Sequence, residues 1–235
     1  LIKSSKKNCK KTLVSIFINP SQFNKKSDLQ NYPRNLKNDV KILKELKVDY
    51  LLIPSIKEIY KKNKDKKIKL DKKDKIMCAL YRPGHFEGVL AVIYQFLKKI
   101  KPNLVFLGEK DYQQLFLIKK FIKKKFKIAV ISCKTIRDKN KIALSSRNKL
   151  LKHNDLKKSS YIATLLLNLR NKLKNNISFK YEIESISKKI NKLENIKVEY
   201  LEIRNKKNLT KNYNKNNFKI FLAYYNKSIR LIDNY

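Results

Sequence analysis

The stretch NLVFLGEKDYQQLFLIKKFI, residues 103–122, decides how this chain is read. Leu104 to Leu107 are apolar on consecutive positions, as in a strand buried on both faces of a parallel sheet. Beyond the polar GEKD, Leu115, Ile118 and Ile122 recur at helical spacing. A strand that passes through a glycine into a helix is the unit from which α/β layers are built. Three more runs read as strands: TLVSIFI (12–18), YLLI (50–53) and KIAVIS (127–132). Helical periodicity lies between them. One segment aligns Leu36, Val40, Leu43 and Leu46, and another aligns Val89, Val92, Ile93, Phe96 and Ile100. The expectation is an α/β fold, a right-handed, doubly wound parallel sheet with helices on both faces.

The pattern changes after residue 148. SSYIATLLLNLRNKL (159–173) and YEIESISKKINKL (181–193) read as helices. KVEYLEI, FKIFLAYY and SIRLIDNY read as strands, the last two joined around Asn226-Lys227. A small C-terminal α+β domain is expected over 148–235, following the α/β domain over 1–147. The polar runs 61–75 and 205–217 read as loops or solvated faces.

Composition narrows the class. With 235 residues and 42% hydrophobic content the chain can build a core. No apolar run approaches the roughly 20 residues of a membrane span, and no signal-peptide pattern opens the chain. Cys9, Cys78 and Cys133 are odd in number and widely spaced, which argues for reduced thiols in the cytoplasm and against a disulfide framework. The net charge of +39 invites a nucleic-acid reading. Only seven residues are arginine, however, and the lysines spread over the whole length. Biased usage explains that pattern better than a binding stripe does. A basic RNA-binding protein on a synthetase-like fold is kept as the alternative.

In open α/β sheets, ligands bind beyond the carboxyl ends of the strands. Three of the four strands run into polar stretches there: NPSQF, GEKDYQQL and a longer segment with TIRD and LSSRN. Gly108 permits close approach of a ligand to the backbone, and Lys110 supplies a mobile cation for phosphate oxygens. Asp111 can accept from ribose hydroxyls and Gln114 can both donate and accept. Asp111 with Gln114 equally fits a capping box, which needs no ligand. Ser145, Ser146 and Arg147 can bind a polyphosphate, with Arg147 stabilising charge on the departing group, although the same residues suit a turn and helix start. Asn19 and Gln22 lie in a loop. In RPGHF, His85 follows Arg82, which leaves a structural role and an anion site both open. His153 reads as a surface residue.

Taken in order, SIFINPSQF, YPRNLKNDV, RPGHFEGV, GEKDYQQL, ALSSRN and VEYLEIR resemble the motifs of the pantothenate synthetase (pantoate–β-alanine ligase) family, from about residue 11 to the end. The resemblance implies a Rossmann-like nucleotidyltransferase domain, a small C-terminal lid and a homodimer. It implies ATP and Mg²⁺, with pantoate and β-alanine as the acid and amine. By similarity, Gln22 and Gln114 hold pantoate, and Gln22 borders the β-alanine site. Asn19 and Arg82 are grouped with these substrates. Gly108, Glu109, Lys110 and Asp111 contact ATP, Ile136 lies against the nucleotide, and Leu144, Ser145, Ser146 and Arg147 grip the triphosphate. Lys110 and Arg147 are the expected catalytic cations, and Asp39 matches a position linked to magnesium.

One departure stands out. The family carries an H-x-G-H signature in its first strand–helix turn, whereas the two histidines of this sequence, His85 and His153, lie in no such motif. The opening LIKSSKK resembles the helix that follows the signature, and the first residue is Leu1. The expectation is a chain that begins late, with little or no ligase activity as it stands.

Overall fold

The computed structural model describes residues 1–20, 29–30, 35–60, 68–175 and 179–235. The chain forms two compact units, one of Leu1–Glu109 with Gln113–Cys133, the other of Lys110–Tyr112 with Lys134–Tyr235. Residues 134–147 thus group with the C-terminal unit, whereas the sequence pattern set the division after 147. Within that unit Arg137 is tied to Asp233 by an ion pair.

In the first unit, α1 (Ile2–Asn8) precedes β1 (Leu13–Ser15), and α2 (Leu36–Glu45) leads into β2 (Tyr50–Leu52). The short α3 (Ile56–Ile59) and α4 (Cys78–Tyr81) come before the long α5 (His85–Ile100). Then follow β3 (Leu104–Gly108), α6 (Tyr112–Lys125) and β4 (Ala129–Cys133). β1 pairs with β2 and β3 with β4, both in parallel, from Leu13↔Tyr50 and Leu104↔Ala129 onwards. Each pair needs a crossover, and a helix supplies it.

The strands are less buried than their unbroken apolar runs suggest. β3 is half-buried along its whole length, and Leu13, Tyr50 and Leu51 are exposed. Among the described residues the four strands form two separate pairs, so each strand has a single hydrogen-bonded neighbour.

The helix α5 organises this unit. Val89, Leu90 and Leu97 pack with Ile118, Phe121 and Ile122 of α6, against Val105, Leu107 and Val130 of the β3–β4 pair. Val92 and Phe96 meet Ile59, with Phe17 and Leu52 beside them. Burial of each such side chain contributes roughly 1.5–3 kcal/mol. Gly84 caps the start of α5 at φ 80°, a left-handed conformation that glycine adopts without steric cost.

The second unit holds α7 (His153–Lys174), α8 (Phe179–Asn191) and an antiparallel sheet of β5 (Ile196–Asn205), β6 (Phe218–Asn226) and β7 (Ile229–Asn234) in that order. Leu166, Leu169 and Leu173 of α7, Ile190 of α8, and Ile220 and Leu222 of β6 are fully buried in one core. The β6–β7 turn lies one residue later than its sequence suggests. Asn226 pairs with Ile229, leaving Lys227 (φ 54°) and Ser228 at the tip. Asn226 is instead buried, its Nδ2 donating to the Asp155 carbonyl across 3.1 Å.

Candidate functional site

Strand β3 ends at Gly108, Glu109–Asp111 form one 3₁₀ turn, and α6 begins at Tyr112. A Cβ added at Gly108 would meet no atom within 4 Å, so the space beside this backbone is open. The Lys110 ammonium stands 3.4 Å from Asp111 Oδ1, with both side chains partly exposed. An ion pair this long and this wet is weak and easily exchanged for a ligand. Among the described residues, Lys110 is the ion-pair partner of the Asp111 carboxylate. Gln114 is half-buried. Its neighbour Gln113 is buried, donating from Nε2 to the Ile76 carbonyl at 2.7 Å, while its Oε1 has no hydrogen-bond partner among the described residues.

Of the other sequence-derived residues, Asn19, Arg82, His85 and Asp39 lie in the first unit and His153 in the second. Asn19 is buried, its Nδ2 donating to the Gly88 carbonyl at 3.1 Å and its Oδ1 accepting from the Tyr60 hydroxyl. Its amide therefore ties the end of the β1 segment to α5. Arg82 Nη1 lies 3.2 Å from His85 Nε2. A guanidinium can only donate, so Nε2 accepts and the imidazole proton there sits on Nδ1. His85 is buried at the first position of α5, with its ring 4.8 Å from that of Phe86. His153 is exposed at the start of α7. Asp39 is exposed in the first turn of α2. Among the described residues no three His, Cys, Asp or Glu side chains converge. Gln22 lies outside the described residues.

The second unit carries the other cluster. Arg137 bridges to Ala143, and the Leu144 amide donates to the Ile136 carbonyl at 3.0 Å, closing a hairpin. The Asp138 carboxylate accepts from the Asn140 and Ile142 amides inside it. Ile136 and Leu144 stand side by side at 65% and 55% exposure, an apolar pair that water disfavours. The next residue, Ser145, accepts from the Arg147 amide at 3.3 Å and caps a 3₁₀ turn over Ser146–Leu150. Ser146 is exposed and Arg147 half-buried. Asn148 secures the turn through Nδ2 to the Ala143 carbonyl at 3.0 Å. An apolar platform followed by two hydroxyls and a guanidinium can hold a flat ring and the oxyanions attached to it.

Three residues of this unit escaped sequence reasoning. Arg137 forks onto Asp233 at 2.8 and 2.9 Å, and Asn234 Nδ2 donates to the Lys110 carbonyl at 2.7 Å. Burial works against the Arg137 charge, but the bonds and charge of Asp233 outweigh it and hold the guanidinium pKa above its ordinary value. Burial, followed by the Asp233 charge, pushes the Tyr235 hydroxyl well above its usual range. Nothing local could have signalled these contacts, since their partners lie far apart in sequence.

The chain is similar to known proteins. The family model for pantoate-beta-alanine ligase matches residues 1–235. A pantothenate synthetase of Francisella tularensis subsp. mediasiatica is 39% identical over 239 residues, covering 100% of this chain and 82% of the relative. The crystal structure of pantothenate synthetase from Thermus thermophilus superposes with a TM-score of 0.91 at 27% identity, covering 100% of this chain and 86% of that one. The pantoate-beta-alanine ligase of Francisella tularensis, solved with beta-gamma ATP and beta-alanine, gives a TM-score of 0.84 at 38% identity, with 100% and 82% covered.

Proposed function

The chain belongs to the pantoate–β-alanine ligase family, and from that premise we propose that it condenses pantoate with β-alanine at the expense of ATP. The observation that carries the reading is the match of the whole chain, 1–235, with GEKDYQQL at the end of β3 and LSSRN behind the exposed Ile136–Leu144 pair.

The chemistry follows in two steps. A pantoate carboxylate oxygen bonds to the α-phosphorus of ATP while the bond to the β-phosphate oxygen breaks, and pyrophosphate leaves with that electron pair. The β-alanine amine then attacks the acyl carbon, AMP departs with the bridging oxygen, and the amine gives up its proton. The first step brings two anions together, so positioned cations lower its barrier. Lys110 would meet phosphate oxygens and Arg147 the departing pyrophosphate, as catalytic groups. Gly108, Glu109 and Asp111 would follow the nucleotide, with Asp111 towards the ribose. Ile136 and Leu144 would flank the base side, and Ser145 and Ser146 the triphosphate. Gln22 and Gln114 would orient pantoate through neutral hydrogen bonds, which hold a carboxylate without quenching its charge. Arg82 would serve the acid, and Asn19 would act through the packing that it secures. Mg²⁺ would enter with ATP and offset triphosphate charge, with Asp39 a contributing carboxylate.

The reading extends to residues 148–235 as a small lid domain and to a cytoplasmic homodimer. In support, no described helix is long and apolar enough to cross a membrane, the described cysteines are free, and Leu13, Tyr50, Leu51 and Ile53 offer exposed apolar surface around β1 and β2.

A heavy-oxygen label in the pantoate carboxylate tests the mechanism. The label should appear in the phosphate of AMP. Unlabelled AMP, or AMP release that needs neither pantoate nor β-alanine, overturns it.

A further inference from the structure

We propose that the end of β7 is a positioning clamp for the nucleotide, in which Asp233, Asn234 and Tyr235 hold Lys110 and the Ile136–Leu144 hairpin in one register. This rests on the reading that Lys110 and the hairpin meet ATP. The three clamp residues touch no reacting atom and act through their partners.

The contacts converge on two points. At the first, Asn234, itself buried, donates from Nδ2 to the Lys110 carbonyl at 2.7 Å. On the same short run, the Tyr112 ring lies 5.9 Å from that of Phe221, and its hydroxyl donates to the Lys206 carbonyl at 2.9 Å. Phe221 is the β6 residue paired with Asn234, so one rung of the sheet holds the 110–112 run at both Lys110 and Tyr112. At the second point, the Arg137 guanidinium reaches three consecutive residues. It forks onto Asp233, donates to the Asn234 carbonyl at 3.0 Å and to the Tyr235 hydroxyl at 2.7 Å, and its Cζ lies 3.9 Å from the centre of the Tyr235 ring. It also donates to the Lys141 carbonyl at the hairpin tip, 2.9 Å away.

The clamp is anchored. Tyr235 and Ile220 exchange backbone hydrogen bonds at 2.9 and 3.0 Å, which continues the β6–β7 ladder past Asn234. A lysine on a one-turn 3₁₀ segment is otherwise poorly fixed, since such a turn is short and its hydrogen bonds are bent. A charged group must be held to within a fraction of an ångström to favour a transition state. The β7 end supplies that restraint and makes Lys110 and the hairpin shift together.

The test compares Asn234→Ala, Lys110→Ala and the double variant, measuring dissociation constants for ATP and for pantoate by calorimetry, with thermal melting alongside. Asn234→Ala should weaken ATP binding roughly tenfold and pantoate binding less than about twofold. In the Lys110→Ala background it should add less than about twofold for ATP while still lowering the melting temperature. Arg137→Lys keeps the charge but loses the fork, and should show the same ATP-selective loss if Asn234→Ala does not fold. Equal losses for both ligands, or the same increment in both backgrounds, would mean a merely structural contact and overturn the clamp. An effect of Lys110→Ala with none from Asn234→Ala or Arg137→Lys sinks the clamp and leaves the ATP reading standing. No effect from Lys110→Ala overturns both.

Discussion

Gln113 donates to the Ile76 carbonyl across 2.7 Å, committing one glutamine of GEKDYQQL to the fold. Ile76 precedes Met77, which is buried and held at φ 47°, ψ −126°, a backbone conformation that needs outside support in a residue with a side chain. Gln114, next in sequence, is half-buried, and among the described residues it has no such bond. Gln113→Leu is expected to lower stability by about 1–3 kcal/mol through the stranded carbonyl. Gln114→Leu should leave the melting temperature unchanged and weaken pantoate binding roughly tenfold or more. Thermal melts and pantoate titrations on the two variants check this. A reversed pattern would mean that the roles of the two glutamines had been exchanged.

Lys110→Ala and Arg147→Ala should each cut the rate of pyrophosphate formation by about 10²–10³. Neither cation is assigned to the second step. Supplying preformed pantoyl adenylate should therefore restore pantothenate formation. Variants that stay slow with the adenylate would place these cations in both steps.

The pair Arg230–Glu199 joins β7 to β5 with both side chains nearly buried, at 11% and 10% exposure. Removing one charge strands the other in a poorly solvated place. Glu199→Gln should cost about 3 kcal/mol in denaturant unfolding. A loss below about 0.5 kcal/mol would show a pair as weak as a surface one.

Burial pushes the Tyr224 hydroxyl from its ordinary 10 up to about 12. The neutral form is therefore favoured by folding. That contribution is complete below pH 10 and is lost as pH rises towards 12, reaching about 2–3 kcal/mol. Tyr235, raised in the same direction, adds to the slope. Melting temperatures between pH 9 and pH 12 should fall less steeply for Tyr224→Phe than for the parent chain. Parallel curves would show that another group controls alkaline unfolding.

Local pattern carried much of this protein. The strand–glycine–helix unit at 103–122, the parallel pairing and the C-terminal antiparallel sheet were legible because side-chain periodicity records which face is buried. GEKDYQQL and LSSRN were legible as candidate ligand segments because glycine, lysine, hydroxyls and arginine at strand ends have few structural reasons to gather there.

Other features depend on residues that meet only after folding. The turn after β6 reads as Asn226-Lys227, yet the Asp155 carbonyl, supplied by α7, draws Asn226 inside and moves the tip on by one. The roles of Gln113 and Gln114 are indistinguishable in a list of residues, and Ile76 separates them. The sequence by itself determined the layer, the family and the candidate cations, because each is written in neighbouring residues. Only the tertiary structure decided what holds Lys110 and Arg137, since Asn234 and Asp233 lie 124 and 96 positions away in sequence, where a hydrogen bond leaves no periodic trace in the chain.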